Sequence, residues 1–281
     1  MILKGPYLYA YAIIHLKVNE MRFSVLSSSS SGNLTILEND NKYYLLDAGI
    51  GIKSLYSKLT SLGIFVDKIE GIFITHEHND HIKGLSAITS KYKCKIYMSK
   101  LTYKNLPENV KESISPINFK FFIPEEEFKV DNLTINTFRT FHDASDPVGY
   151  TFTNEENKTL VYITDTGKLD PMPIIINKDA YIIESNHEPD LLLMSARPWV
   201  LKNRIMSEYG HLSNEDSAIL FSNIIGPNTK NAVLFHLSNE CNTHELALSA
   251  YNMYFKKINV SLDNINVVVS NSDSPIDFIE V

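Results

Sequence analysis

"FITHEHNDHIKG", residues 73–84, places three histidines and two acids within the six positions from His76 to His81, directly after an apolar run. Side chains of an extended segment alternate between two sides, so His76 and His78 are expected to point the same way. Asp80 and His81 follow in a turn from which both can fold back toward these imidazoles. Imidazoles and a carboxylate gathered at one point are typical transition-metal ligands. The stretch therefore predicts a metal site where a buried strand ends.

Four further candidate residues stand at the ends of strand-like runs elsewhere in the chain. They are Asp47 in "YYLLDAG" (43–49), His142 in "LTINTFRTFH" (133–142), Asp165 in "TLVYITDTG" (159–167) and His236 in "AVLFHLS" (232–238). Loops that follow the strands of a sheet carry functional side chains to a shared edge. We therefore expect these four residues to lie close to the histidines of the opening stretch.

Runs rich in β-branched and aromatic residues recur along the chain and predict strands at 22–26, 43–49, 71–76, 95–99, 133–142, 159–167, 180–185, 232–238 and 265–272. Helical patterns fall between them, at 51–62, 82–92, 190–206, 214–224 and 242–256. Several strands are apolar without strict alternation, which indicates a sheet covered on both faces. The pattern predicts an α/β fold.

No long linker or internal repeat divides the chain, so we predict one domain over residues 21–281. Residues 1–20, "MILKGPYLYAYAIIHLKVNE", contain a short Tyr-rich apolar stretch without a small-residue cleavage site, unlike a signal peptide. Met21 then opens "MRFSVLSSSSSGN", the first clearly structured stretch. We predict that residues 1–20 are an upstream extension, loosely packed or disordered.

Composition limits the class of protein. The 281 residues are 44% hydrophobic, enough for a sizeable core, and no segment approaches the roughly 20 apolar residues of a membrane span. The net charge of −7 provides no global basic field for a polyanionic partner. Cys94 and Cys241 are the two cysteines and form no Cys-x-x-Cys motif, which argues against a disulfide framework. We expect a cytoplasmic protein with no membrane association.

The order His76-x-His78-x-Asp80-His81, then His142, Asp165 and His236, resembles the signature of the metallo-β-lactamase superfamily. The resemblance extends over essentially everything from Met21 onward. It implies a four-layer αββα sandwich that holds two divalent metal ions. The histidine-rich ligand set makes Zn²⁺ the first choice, with Mn²⁺ as the alternative where carboxylates contribute.

The resemblance also implies a role for each candidate residue. The first ion would be bound by His76, His78 and His142, and the second by Asp80, His81 and His236. Asp165 would bridge the two ions, and Asp47 would orient a ligand instead of binding metal. Asp80 is also counted among the catalytic residues, because two ions held in this way generate a hydroxide nucleophile at neutral pH.

The stretch "LSSSSSGNLTILE" (26–38) bears on the substrate. It has the pattern of a strand, a turn and a second strand, with hydroxyls and turn amides at the tip. Such a tip can form a concave anion site, although a plain polar hairpin would have the same pattern. Residues predicted to bind phosphate or substrate are Ser30, Ser31, Gly32, Asn33, His211 and Ser238.

His211 lies in "YGHLSNEDSAIL" (209–220), just before a predicted helix. This stretch resembles the His-Ser-Thr element of the superfamily members that process transfer-RNA 3′ ends. In those members the histidine is proposed to protonate the leaving oxygen, supported by a glutamate after an earlier strand. Glu184 stands at the corresponding place, so Glu184 and His211 are candidate catalytic residues. The alternative is that His211 only binds phosphate or caps the helix.

Several longer stretches together resemble one branch of the superfamily, the bacterial nuclease-like metallohydrolases of the YycJ/WalJ type. They are "SSSSSGN" (27–33, called the serine loop below), "FHDASDPVGY" (141–150), "ESNHEPDLLL" (184–193), "LKNRI" (201–205) and "HLSNECNTHELAL" (236–248). The chain departs from this branch at Ser27 and Ser29, where relatives typically have Ala and Gly.

The branch implies a dinuclear-metal phosphodiesterase, a 5′ exonuclease-like enzyme acting on DNA or RNA. One alternative is hydrolysis of a small or cyclic nucleotide phosphodiester. Another is a metal-containing regulatory or binding protein with little turnover. An intact ligand set favours an enzyme, because a binding module needs no open dinuclear site.

Overall fold

The computed structural model describes residues 20–65 and 68–281. Residues 1–19 of the predicted N-terminal extension (1–20) lie outside the described residues. Its loose packing or disorder therefore stays a prediction.

Strands occupy most of the described core. They are β1 (Met21–Ser27), β2 (Leu34–Asn39), β3 (Lys42–Leu46), β4 (Gly71–Phe73), β5 (Lys95–Ser99), β6 (Phe119–Phe122), β7 (Phe128–Val130), β8 (Leu133–Arg139), β9 (Val148–Thr153), β10 (Thr159–Ile163), β11 (Ala180–Glu184), β12 (Asn231–Phe235), β13 (Asn266–Val269) and β14 (Ile279–Glu280). The sequence patterns did not indicate β6, β7, β9 or β14. Of these, β7 and β14 have only three and two residues, and β6 contains a lysine.

Helices lie between the strands, and the sequence patterns missed the short ones at 79–82, 100–105 and 108–113. They are α1 (Ile52–Ser61), α2 (Asn79–Ile82), α3 (Leu85–Tyr92), α4 (Lys100–Asn105), α5 (Glu108–Ser113), α6 (Pro189–Met194), α7 (Trp199–Ile205), α8 (Asn214–Ile224) and α9 (His244–Lys257). Ser213 begins α8 by accepting a hydrogen bond from the Asp216 amide, and Thr243 caps α9 in the same way.

The strands form two mixed sheets within the described residues. The first has the order β14-β1-β2-β3-β4-β5-β6, and the second has the order β13-β12-β11-β10-β9-β8-β7. Neighbours from β3 to β6 are parallel, as are neighbours from β10 to β13. The parallel strands of each sheet end at a common edge.

Three apolar layers hold the sheets and helices together. Phe23 and Tyr150 belong to a core cluster that contains residues of both sheets. A second cluster joins the first sheet to α1 and α3, and a third joins the second sheet to α8 and α9. Each fully buried large apolar side chain contributes about 1.5–3 kcal/mol relative to an exposed one. The predicted α/β, four-layer αββα sandwich is confirmed.

Three candidate site residues stand just beyond strand ends in a left-handed backbone conformation. Asp47 follows β3 with φ 59°, Asp165 follows β10 with φ 50°, and His236 follows β12 with φ 59°. This region is uncommon for residues with a Cβ atom. The left-handed conformation produces a sharp turn, which directs the segment after each strand across the shared edge of its sheet.

The strands predicted over 43–49, 133–142, 159–167, 232–238 and 265–272 all run beyond the observed strand ends. Two further predictions were wrong in extent. The strand predicted over 71–76 ends at Phe73, so His76 and His78 lie in the loop after β4 instead of on an extended strand. The single helix predicted over 190–206 is two helices, α6 and α7. Pro198 interrupts it, because proline lacks an amide hydrogen and keeps the preceding residue out of helical geometry.

None of the helices in the described residues is both long and apolar enough to cross a lipid bilayer.

Candidate metal centre

His76, His78 and His142 form the first group of potential ligands. Their ligand nitrogens lie within 4.8 Å of one another. Nε2 of His142 is 3.2 Å from Nδ1 of His78. The other nitrogen of His142, Nδ1, is 3.1 Å from the carbonyl oxygen of Gly210, which fixes the orientation of the ring. The loops after β4 and β8 thus bring three imidazoles to one point, as the sequence predicted.

Asp80, His81 and His236 form the second group, again with ligand atoms within 4.8 Å. Asp165 lies between the two groups. Its Oδ2 is 2.9 Å from Nε2 of His81, and its Oδ1 is 3.7 Å from Nε2 of His142. One carboxylate therefore reaches side chains of both groups.

Asp47 is fully buried behind the second group. Its Oδ2 is 2.7 Å from Nδ1 of His81 and accepts a hydrogen bond from the Tyr162 hydroxyl at 3.0 Å. Its Oδ1 accepts hydrogen bonds from the amide and the hydroxyl of Thr75. Asp47 contacts a predicted ligand and fixes its orientation. The sequence reasoning missed Thr75, in the loop after β4, and Tyr162, on β10, because only the folded chain brings them to Asp47.

Glu184, the last residue of β11, connects two histidines. Its Oε1 is 2.8 Å from Nδ1 of His211 and 2.8 Å from Nδ1 of His236. Its Oε2 accepts a hydrogen bond from the Thr166 amide at 2.8 Å. The predicted contact between Glu184 and His211 is present, and the contact with His236 was not anticipated.

The buried charges of the centre suit divalent cations. Within the described residues, the ion-pair partners of Asp47, Asp80, Asp165 and Glu184 are histidines, with no lysine or arginine among them. Isolated buried carboxylates are costly, and a metal ion compensates their charge.

The buried imidazoles also suit metal binding. Burial lowers the pKa of His76 well below its ordinary value, and it lowers the pKa of His142 as well. Both rings are therefore neutral, the form that binds metals. Among the described residues, Nε2 of His76 and Nε2 of His236 are buried without a hydrogen-bond partner. Such unpaired nitrogens are costly unless a ligand satisfies them.

A cavity of about 480 Å³ opens onto this centre. Its lining residues are Ser30, His78, Asp80, His142, Asp165, Asn186, Arg197, Leu201, Arg204, Ile205, His211, His236, Ser238 and Glu240. His78, Asp80, His142, Asp165, His211 and His236 line this cavity, and Asp47 lies behind it through His81. The arrangement gathers groups of side chains that could hold metal ions at the base of an open cavity.

Comparison with known proteins identifies the family. The profile of a "Beta-lactamase superfamily domain" matches residues 42–237. The chain is 37% identical over 230 residues to the exodeoxyribonuclease YycJ of Bacillus anthracis, covering 81% of this chain and 86% of that protein. It is also 37% identical to the exodeoxyribonuclease WalJ of Streptococcus pneumoniae strain D39, covering 80% and 85%. The chain belongs to the metallo-β-lactamase superfamily, in the branch of YycJ and WalJ.

Solved structures agree with this membership at the level of fold. The metallo-β-lactamase fold protein YhfI of Bacillus subtilis superimposes with a TM-score of 0.69 over 93% of this chain and all of that one, at 15% identity. The superfamily sandwich is therefore retained at low sequence identity.

The serine loop contributes one residue to the cavity wall and another to the support of the metal centre. Ser30 lines the cavity, as does Ser238. Ser31, Gly32 and Asn33 do not line it. Asn33 supports the centre from behind, with Nδ2 donating to Asp80 Oδ2 at 3.2 Å.

Gly32 lies in close contact with the backbone of the loop after β3. A Cβ atom at this position would lie 2.5 Å from the carbonyl oxygen of Gly49. The loop therefore packs too tightly there for any side chain.

Sequence reasoning assigned no role to four polar residues of the cavity wall: Asn186, Arg197, Arg204 and Glu240. "LKNRI" (201–205) contributed to the family resemblance, but nothing in the local pattern showed which face of α7 would meet the cavity. Arg197 lies in the connection between α6 and α7, where a continuous helix had been predicted.

Proposed function

We propose that this protein is a metal-dependent phosphodiesterase that removes nucleotides from the end of a DNA strand. The observation that carries the proposal is the position of Asp165, between two groups of ligand atoms at the base of an open cavity. The names of its relatives, exodeoxyribonucleases YycJ and WalJ, support DNA as the substrate.

The proposed ligands follow the two groups. His76, His78 and His142 would hold one ion, Asp80, His81 and His236 the other, and Asp165 would contact both. The five histidines favour Zn²⁺, and the carboxylates make Mn²⁺ the alternative. When bound, such ions supply a hydroxide nucleophile at neutral pH and neutralise charge on the phosphate.

Glu184 and His211 are proposed to assist the leaving group. Glu184 faces Nδ1 of His211, which leaves Nε2 of that ring free of this bond, and His211 lines the cavity. A carboxylate at Nδ1 fixes the orientation of the ring. His211 can then donate a proton to the departing alkoxide, a poor leaving group without it.

Ser30 and Ser238 are proposed to contact a substrate phosphate, because both hydroxyl-bearing residues line the cavity. Ser31, Gly32 and Asn33 would then maintain the shape of the loop. We also propose that residues 21–281 form one domain, since β14 pairs with β1 and joins the two ends of this range. A cytoplasmic location is proposed on the two buried free thiols, Cys94 and Cys241.

The test is hydrolysis by the metal-loaded full chain of end-labelled single- and double-stranded DNA, matched RNA, and bis-p-nitrophenyl phosphate. We expect stepwise release of nucleotides from DNA, and loss of this activity in Asp165→Asn. Asp170→Asn is the matched control, because Asp170 is an exposed aspartate five residues further on. Cleavage of bis-p-nitrophenyl phosphate with no action on DNA would contradict the proposal and favour a small phosphodiester as substrate.

A further inference from the structure

We propose that Arg197 and Arg204 form a two-point clamp for the backbone phosphates of a DNA strand on either side of the bond that is cleaved. The inference rests on the proposed function and extends it to how a polymer is distinguished from a small phosphodiester. "Clamp" below refers to these two arginines.

The clamp contains the only permanently charged cations among the described residues that line the cavity. The protein has a net charge of −7, and the centre adds several buried carboxylates. A polyanionic strand that approaches this cavity therefore needs local positive charge. Arginine is well suited to the task, because its planar guanidinium binds phosphate oxygens in pairs.

The two guanidiniums stand next to different halves of the centre. Nη2 of Arg197 is 3.4 Å from Oγ of Ser238, and Ser238 lies two residues after His236. Arg204 forms a two-pronged pair with Asp143, the residue that follows His142, at 2.5 and 2.9 Å. A strand that crosses both proposed metal ions would meet one arginine on each flank.

The fold does not need these arginines to hold α6 and α7 together. Nζ of Lys202 donates hydrogen bonds to the carbonyl oxygens of Leu193 and Ser195, at 2.6 and 2.8 Å, and so closes the end of α6. Leu192 and Ile205 pack with Cys241 in a separate apolar cluster. The arginines are thus available for a ligand.

Their present partners are exchangeable. Arg197 pairs with Glu240, whose side chain is 66% exposed, and Arg204 pairs with Asp143, whose side chain is 37% exposed. An exposed ion pair with a single contact contributes little to stability, whereas the two-pronged Arg204–Asp143 pair is stronger and a phosphate must match both of its contacts. A phosphate can therefore replace either carboxylate, and Glu240 competes with the substrate for Arg197.

The first experiment measures binding of a phosphorothioate DNA strand, which resists hydrolysis, by fluorescence anisotropy with the metal-loaded full chain. We expect Arg197→Ala and Arg204→Ala each to weaken binding about tenfold. Each should also reduce the slope of log affinity against log salt by about one, the signature of one lost phosphate contact. Arg22→Ala is the control, because Arg22 is also ion-paired, with Glu38, but lies on β1 outside the cavity.

The second experiment uses the opposite effects expected at the Arg197–Glu240 pair. Glu240→Gln frees Arg197 and should tighten DNA binding, whereas Arg197→Ala weakens it. In the Arg197→Ala background, Glu240→Gln should give little further gain. If Arg197 only anchored the loop that carries Glu240, both single variants would change binding in the same direction, and that result would overturn the clamp.

Kinetics of the metal-loaded protein separates this inference from the proposed function. The clamp predicts a raised KM on DNA with a much smaller change in kcat. A wild-type protein that degrades DNA, together with arginine variants of unchanged KM and salt slope, would refute the clamp alone. A wild-type protein that binds DNA through the clamp without cleaving it would refute the proposed function alone.

Discussion

At the scale of single residues, the carboxylate of Glu184 has two tasks. The same oxygen contacts Nδ1 of His211, the proposed acid, and Nδ1 of His236, a proposed metal ligand. Because one buried group orients both rings, a change at Glu184 affects metal binding and proton donation together. His211 is the residue at which proton donation can be tested separately.

His211→Ala should slow DNA hydrolysis by about 10²–10⁴-fold, the usual contribution of a general acid. Hydrolysis of bis-p-nitrophenyl phosphate should fall far less, because nitrophenolate leaves without protonation. The measurement compares both substrates on the same variant, with His244→Ala at an exposed histidine as the control. Equal losses on the two substrates, mainly through KM, would instead assign His211 to phosphate binding.

A second residue-scale prediction concerns His187, which is 2% exposed and has no hydrogen-bond partner at Nδ1 among the described residues. Burial lowers the pKa of His187 from 6.5 to about 4. As the pH falls below 6.5, His187 becomes protonated in the unfolded chain but stays neutral in the folded protein. The free energy of unfolding therefore decreases between pH 6.5 and about 4, and this loss is complete below pH 4.

The size of this loss is about 3 kcal/mol. His187→Leu should remove that part of the acid sensitivity, and His244→Leu, at an exposed position, should not. The measurement is urea unfolding of both variants and the wild type in chelator, from pH 7 to pH 4. Parallel curves for wild type and His187→Leu would show that folding does not lower the pKa of His187.

At the scale of elements, the strand ends determine the site. Asp47, Asp165 and His236 each leave a strand in the left-handed conformation, which costs about 1–2 kcal/mol for a residue with a Cβ atom. Surrounding structure must maintain such a conformation. The turns at Asp165 and His236 thus each place a proposed ligand, and the turn at Asp47 places the carboxylate that orients His81, at the expense of local stability.

This cost can be measured at His236. In chelator, His236→Gly should be more stable than His236→Ala by about 1 kcal/mol, because glycine tolerates positive φ. The same pair of substitutions at His78, where φ is −64°, should give the reverse order. The readout is the free energy of unfolding. Alanine and glycine of equal stability at position 236 would mean that the backbone there carries no strain.

The break between α6 and α7 shows what local patterns can and cannot provide. Pro198 is a local signal that a helix ends. The prediction of one helix over 190–206 followed the apolar spacing instead and so missed the break. The break brings Arg197 to the cavity wall. Which face of α7 meets the centre depends on packing against Cys241, far along the chain, and so was beyond local reasoning.

At the scale of the whole molecule, the sequence predicted the fold class and the identity of the clustered side chains. This succeeded because the ligands follow strands directly, and parallel strands bring their ends to one edge. The supporting residues were not predictable in the same way. Thr75 lies in the loop after β4 of the first sheet, and Tyr162 lies on β10 of the second. Only the assembled sandwich brings both into contact with Asp47.

The metal content of the whole protein is the next prediction. Elemental analysis after purification without chelator should find close to two transition-metal equivalents per chain. Removing them should lower Tm, because ions that bind only the folded state stabilise it. Asp165→Asn should reduce the content, whereas Asp170→Asn should keep it. A folded, active protein without metal would contradict the assignment of the ligands.

Deletion of residues 1–20 tests the proposed domain boundary. Because β1 begins at Met21 and its pairing with β2 starts there, the shortened chain should retain metal content and hydrolysis. The comparison is made on the full-length and shortened proteins side by side. A large loss of Tm or of activity would place the start of the domain earlier than residue 21.

The left-handed strand ends also have a consequence for how the gene would change over generations. At positions 47, 165 and 236, selection for hydrolysis and selection for folding favour different residues. In a lineage that no longer depends on the reaction, glycine at these positions would improve folding and would spread. Descendants that have lost the activity should therefore carry glycine at these three strand ends more often than at His78 or His142, where the backbone has no such preference.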